Sequence, residues 1–289
     1  MARLETHARR GRRARQKLAM VVTAAVAVGV VALVLALAAW EANPKLADDT
    51  LCPSEDMVTL EVAVVLDASD EWTEIQRGAV LTHFNALTEE VPRFGRVTVF
   101  QVSGDLEAGQ IAEPVKVLCN PGSLDQVSSE GSMNPVRRML PVGSYANPER
   151  LTERWTTGYA SVMDSLLVAA TVGAGEERSP LLETLRSVAI VLRNRVPADR
   201  PVAVYIFSDL YQNSGAYSFY RGEPVSTDSA RAVADLARLG TTSLKDMDVY
   251  MYMLTPPTEF LGRADLVRFW EAFVSAQGGQ LMSVSRVER

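Results

Sequence analysis

Two kinds of apolar pattern run along this chain. From Leu18 to Trp40 (LAMVVTAAVAVGVVALVLALAAW) there is no charge in 23 residues and no polar face. A helix rises about 1.5 Å per residue, so this run spans a hydrocarbon core of about 30 Å. After it the pattern changes to short β-rich runs separated by helix-period segments. Leu60–Leu66 (LEVAVVL), Arg96–Val102 (RVTVFQV), Val115–Cys119 (VKVLC), Pro201–Ser208 (PVAVYIFS), Asp248–Leu254 (DVYMYML) and Gln280–Val284 are the predicted strands. The first and fourth are apolar on both sides, as suits central parallel strands covered by helices on both faces. Pro114 places the third at an edge.

Helical spacing marks the segments between. The pattern predicts helices from Glu71 to Glu90, over 149–172, over 180–195, over 227–239 and from Arg263 to Gln277. Ser179 before Pro180 reads as an N-cap. Residues 122–148 are rich in Gly, Ser, Asn and Pro and read as a long loop. Strands alternating with helices predict an α/β fold built on a doubly wound, mainly parallel sheet.

Charge sets the orientation. Residues 1–17 carry six Arg and Lys17 against Glu5, a net of +6, while the whole chain is −6, leaving −12 for residues 18–289. Basic residues directly before an apolar span are retained in the cytoplasm. The expected organisation is therefore a basic cytoplasmic tail (1–17), a transmembrane helix (18–40), a linker (41–57) and one domain (58–289) on the periplasmic or extracellular side of a bacterial-type inner membrane. A signal peptide cleaved near Ala36-Leu37-Ala38 is the competing reading, and it places the domain outside the cytoplasm too. An acidic domain repels a phosphate backbone, so nucleic acid is not an expected partner. The two cysteines, Cys52 and Cys119, are expected to pair in an oxidising compartment; two separate buried thiols are the alternative.

Candidate chemistry lies at the strand ends. One central strand runs into Asp67-Ala68-Ser69-Asp70-Glu71 and another into Ser208-Asp209, with Ser179 opening a helix between them in sequence. In open α/β sheets ligands sit outside the carboxyl ends of the strands, where strand order reverses. Asp and Ser oxygens without His or Cys suit a hard cation such as Mg²⁺. The order of apolar strand, Asp-x-Ser, Ser-Pro-Leu at a helix start and apolar strand ending in Ser-Asp resembles the von Willebrand factor A domain, in a divergent bacterial form. That family carries a metal-ion-dependent adhesion site, in which a partner's carboxylate completes the coordination. The resemblance implies Asp67, Ser69, Ser179 and Asp209 as metal-site residues. Ser179 stands where the family has Thr, and Glu71 stands where it has a second Ser.

Catalysis has little support in the sequence. The two histidines are His7 in the tail and His83 within a helix, so a Ser/His/Asp arrangement and a zinc hydrolase site lack their parts. No phosphate-binding or dinucleotide-binding glycine motif occurs. The expectation is a membrane-anchored binding protein with a protein partner. A metal-free envelope scaffold is the alternative, with Tyr211–Tyr220 as a contact surface. A phosphatase using Asp67 as nucleophile is a further alternative. It needs a lysine at the site, and beyond the linker only Lys116 and Lys245 exist.

Overall fold

The computed structural model describes residues 20–37, 45–107, 109–122, 147–172, 178–197, 199–222, 224–238, 243–255 and 261–287. The basic tail, residues 18–19 and 38–40 of the apolar run and most of the long loop lie outside these residues. Met20–Leu37 forms one helix, long and apolar enough to cross a membrane, with a mean hydropathy of 2.8.

The domain is built on a six-stranded sheet. Its strands are β1 (Glu61–Asp67), β2 (Arg96–Val102), β3 (Lys116–Cys119), β4 (Val202–Ser208), β5 (Met247–Leu254) and β6 (Gln280–Val287). The spatial order is β3-β2-β1-β4-β5-β6. All neighbours are parallel except β2 and β3. The chain winds outward from β1 in one direction and from β4 in the other, so the reversal falls between these two strands. The antiparallel edge place of β3 agrees with Pro114 before it. β6 is three residues longer than its apolar run implied, because exposed Ser285 and Arg286 interrupt the apolar pattern before buried Val287.

Among the described residues five helices flank the sheet: α1 (Glu74–Glu90), α2 (Pro148–Val172), α3 (Leu181–Arg195), α4 (Thr227–Arg238) and α5 (Arg263–Ala276). The larger core joins α3, α4 and α5 to one face through Leu185, Val188, Ile206, Met251, Phe269 and Trp270. Each such side chain contributes about 1.5–3 kcal/mol by leaving water. On the other face Phe84 of α1 meets Tyr159 of α2, with ring centroids 5.5 Å apart. The Tyr159 hydroxyl donates to the Leu118 carbonyl at 3.2 Å, tying α2 to β3.

Two expected helix starts are corrected. α1 begins at Glu74, not Glu71, because Thr73 and Gln76 form a reciprocal capping box. Ser179 does not cap α3. Pro180 holds the N-cap position, and the Leu182 amide donates instead to Gln212 Oε1 at 2.9 Å.

The amino ends of the strands are held by two devices. Cys52 and Cys119 form a disulfide, with Cα atoms 4.7 Å apart, and it pins the linker to the end of β3. Beside it the fully buried Glu61 carboxylate pairs with Arg96, and with Arg195 and Arg200 at 3.3 Å each. Arg96 also reaches Glu55 at 2.5 Å.

Candidate functional site

The apolar runs of β1 and β4 end side by side, with Leu66 opposite Phe207. This places Asp67 and the Ser208-Asp209 pair at the point of reversal. Asp67 is 3% exposed and accepts four hydrogen bonds. Its Oδ1 receives the Ser69 amide at 3.2 Å and the Ser69 hydroxyl at 2.7 Å. Its Oδ2 receives the Ser179 hydroxyl at 3.0 Å and the Ser208 hydroxyl at 2.6 Å. Three chain segments far apart in sequence thus meet on one carboxylate.

The backbone is built to hold these groups. The Trp72 indole N–H donates to the Asp67 carbonyl at 3.0 Å, locking the turn after β1. After β4, Leu210 is in the left-handed region at φ 66. A bulky residue persists there only where its surroundings over-determine it. The Leu210 amide donates to Ser208 Oγ at 2.9 Å, and its carbonyl accepts from the Trp270 indole at 3.0 Å. Ser179 is fixed by a two-way backbone bridge to Asn213, at 2.8 and 2.9 Å.

Asp209 and Asp70 complete the cluster. The Tyr211 amide donates to Asp209 Oδ1 at 2.9 Å. Burial, then the negative charge of Asp67, hold the Asp209 carboxyl well above the usual range. Burial also raises Asp70, and the two carboxyls share a hydrogen bond. The charges acting on both are other carboxylates, so a proton between them relieves their repulsion. Tyr220 is half exposed next to this cluster. Burial and the charges of Asp209 and Asp70 raise its phenol above the ordinary value.

Asp67, Ser69, Ser179 and Asp209 are therefore all buried around this one crevice. Glu71 is exposed, and the acidic group that turns in is Asp70, its neighbour. Ser208 is a further member. Most of the segment Tyr211–Tyr220 packs inward: Tyr211, Ser214, Ser218 and Phe219 are buried, and Tyr220 is its exposed aromatic. Lys116 lies on edge strand β3, and Lys245 precedes β5 at the opposite end of the strands from Asp67.

The donor set suits a hard cation: carboxylates and hydroxyls, with no nitrogen or sulfur. Among the described residues no group of three or more His, Cys, Asp or Glu side chains is arranged to hold a metal by itself. A cation here would draw on the hydroxyls of Ser69 and Ser179 as well as on the carboxylates. Burial and the like charge of Asp67 push the carboxyls of Asp209 and Asp70 up, and a cation here would relieve that repulsion.

No protein-family model matches the chain, and no curated protein matches it. Among solved structures it is similar to a serine-substituted form of an aerotolerance-related membrane protein from Bacteroides fragilis NCTC 9343. That match has 12% identity and a TM-score of 0.32, and covers 80% of this chain and 92% of that one. What the fold defines by itself is a doubly wound α/β domain with an acidic, hydroxyl-lined crevice at its topological switch point.

Proposed function

We propose that this is a membrane-anchored binding protein of the von Willebrand A kind, which holds a divalent cation such as Mg²⁺ and presents it to a carboxylate of a protein partner. Asp67, Ser69, Ser179 and Asp209 would hold the ion, with Asp70 beside them. The bound ion would supply positive charge and an open coordination position. The observation that carries this reading is the crevice between β1 and β4, where the Asp67, Asp70 and Asp209 carboxyls and the Ser69 and Ser179 hydroxyls converge. The apolar helix Met20–Leu37 would be the anchor. The basic residues before it would keep the N-terminus in the cytoplasm, with the domain in the periplasm or outside the cell. The Cys52–Cys119 disulfide agrees with an oxidising compartment. Binding, not catalysis, is the role these groups support.

Thermal unfolding of the full chain in detergent, with Mg²⁺, Mn²⁺ or Ca²⁺ added, tests the proposal. Stabilisation should grow with ion concentration, by about 2.7 kcal/mol at a hundred times Kd, and be absent in Asp67→Ala. A flat response to all three ions would overturn it. One observation favours a second reading, a metal-free scaffold. Both oxygens of Asp67 are already satisfied by serine donors, and in that case the hub would serve only to fasten three loops together.

A further inference from the structure

The two faces of the sheet are covered unequally. On the side of α3, α4 and α5, Val249 and Met251 of β5 are fully buried. On the other side α1 reaches over β5, where its His83 ring meets Tyr252 at 4.6 Å. Gln76 of α1 also donates to the Thr255 carbonyl just after β5, at 2.9 Å, so the helix covers the carboxyl ends of β5 and β6 and leaves Asp248, Tyr250 and Ser283 nearer the amino ends exposed or partly exposed. A sheet of parallel strands is ordinarily covered on both faces.

The side chains of this face are ordered in rows. Ala203, Tyr205 and Phe207 of β4 stand opposite Asp248, Tyr250 and Tyr252 of β5. Tyr250 and Tyr252 stand opposite Ser283 and Ser285 of β6. Tyr205 stacks on Tyr250 at 4.8 Å, and Phe207 on Tyr252 at 4.6 Å, with rings nearly parallel in both pairs. The three tyrosines are partly exposed, and Asp248, Ser283 and Ser285 are exposed. Met282 adds an exposed thioether at the β6 irregularity. Such rings offer apolar area with a polar tip, the composition of recognition surfaces.

Two acidic residues, Glu90 and Asp248, lie beside them. Burial, then the neighbouring Tyr250 and Tyr252, push the Tyr205 phenol up to about 12, and Glu90 and Asp248 add to this. Burial and then Glu90 raise Tyr252 as well.

We propose that this aromatic sheet face is a docking lane for a basic amphipathic helix of a partner protein. Its apolar side would lie on Tyr205, Tyr250 and Tyr252, and its Lys or Arg side chains would reach Asp248 and Glu90. A strand of eight residues is as long as about 17 residues of helix, so one helix fills the lane. The lane is on the sheet face and not at the strand ends, so it is independent of the cation site.

The test uses the full chain in phosphatidylcholine nanodiscs. Two fluorescent synthetic helices of about 17 residues serve as probes, one with leucines opposite lysines and one with glutamates in place of the lysines. Anisotropy should show binding of the lysine helix alone, above its signal with empty nanodiscs. Asp248→Lys and Tyr250→Ser should each weaken it about tenfold. Asp228→Lys makes the same charge change on the exposed surface of α4 and should leave binding unchanged. Absence of binding, equal binding of both helices, or equal weakening by Asp228→Lys would overturn the proposal. So would self-association of the full chain that Tyr250→Ser abolishes, since the occupant would then be a second copy.

Discussion

The Ser179 hydroxyl donates to Asp67 Oδ2 at 3.0 Å across 112 residues of chain. Ser179→Ala removes that donor from a buried carboxylate and should lower stability by about 1–2 kcal/mol. Ser179→Thr keeps a hydroxyl and should restore most of it. Denaturant unfolding of the two variants in detergent makes the comparison. An alanine variant as stable as the parent would show that the contact contributes nothing.

Asp209→Asn replaces the buried carboxyl that faces Asp67 and Asp70 with a group that cannot ionise. Without divalent ions the variant should melt at or above the parent's temperature. With Mg²⁺ it should gain nothing, while the parent rises. Thermal scans with and without the ion check both halves, and an ion response kept by the variant would remove Asp209 from the site.

The same group makes stability depend on pH. Its carboxyl is raised in the folded state, so the fold holds a proton that the unfolded chain has released. Stability is fully present below the unfolded carboxylate range and is lost as pH rises through the folded value. A bound cation would replace that proton. Mg²⁺ binding should therefore release protons, seen as a heat that changes between buffers of different ionisation enthalpy. Identical heats in all buffers would contradict the exchange.

At the opposite end of the strands, Glu61→Gln leaves Arg96, Arg195 and Arg200 without their shared counter-charge. Loss of one partner from a buried ionic group costs about 3–5 kcal/mol. The shift in urea midpoint measures it, and a shift near zero would mean that water already screens the cluster.

Reducing the Cys52–Cys119 bond opens a loop of 67 residues. Loop-closure entropy puts its contribution at about 4 kcal/mol as an upper limit. Melting with and without a reductant, followed by non-reducing mass spectrometry, gives the value.

Much of this was legible in the residues, for local reasons. The double-sided apolar runs of β1 and β4 announced central strands, and their ends placed Asp67 and Asp209 on one rim. Ser179 was placed at the site, but its reading as a helix cap was wrong. What fixes it is the bridge to Asn213, a partner 34 positions away that no local pattern reveals. The choice of Asp70 over Glu71 turned on where α1 begins. The signal was present as Thr73-Glu74-Ile75-Gln76, whose spacing is that of a capping box. With the start at Glu74, Glu71 joins Asp70 in the loop and is exposed there, while Asp70 shares a hydrogen bond with Asp209. The aromatic rows gave no signal, because a tyrosine in a strand reads alike whether or not a helix lies over it.

The disulfide fastens the linker at the amino ends of the strands, whereas Asp67 lies at their carboxyl ends. A pull between Cys52 and a partner seated at the rim therefore runs lengthwise along β1 and its neighbours. Loaded in that direction, the ladder bonds on both sides of β1 resist together in shear instead of parting one at a time. A load applied between Cys52 and Asp67 would thus meet more resistance than one applied across the strands.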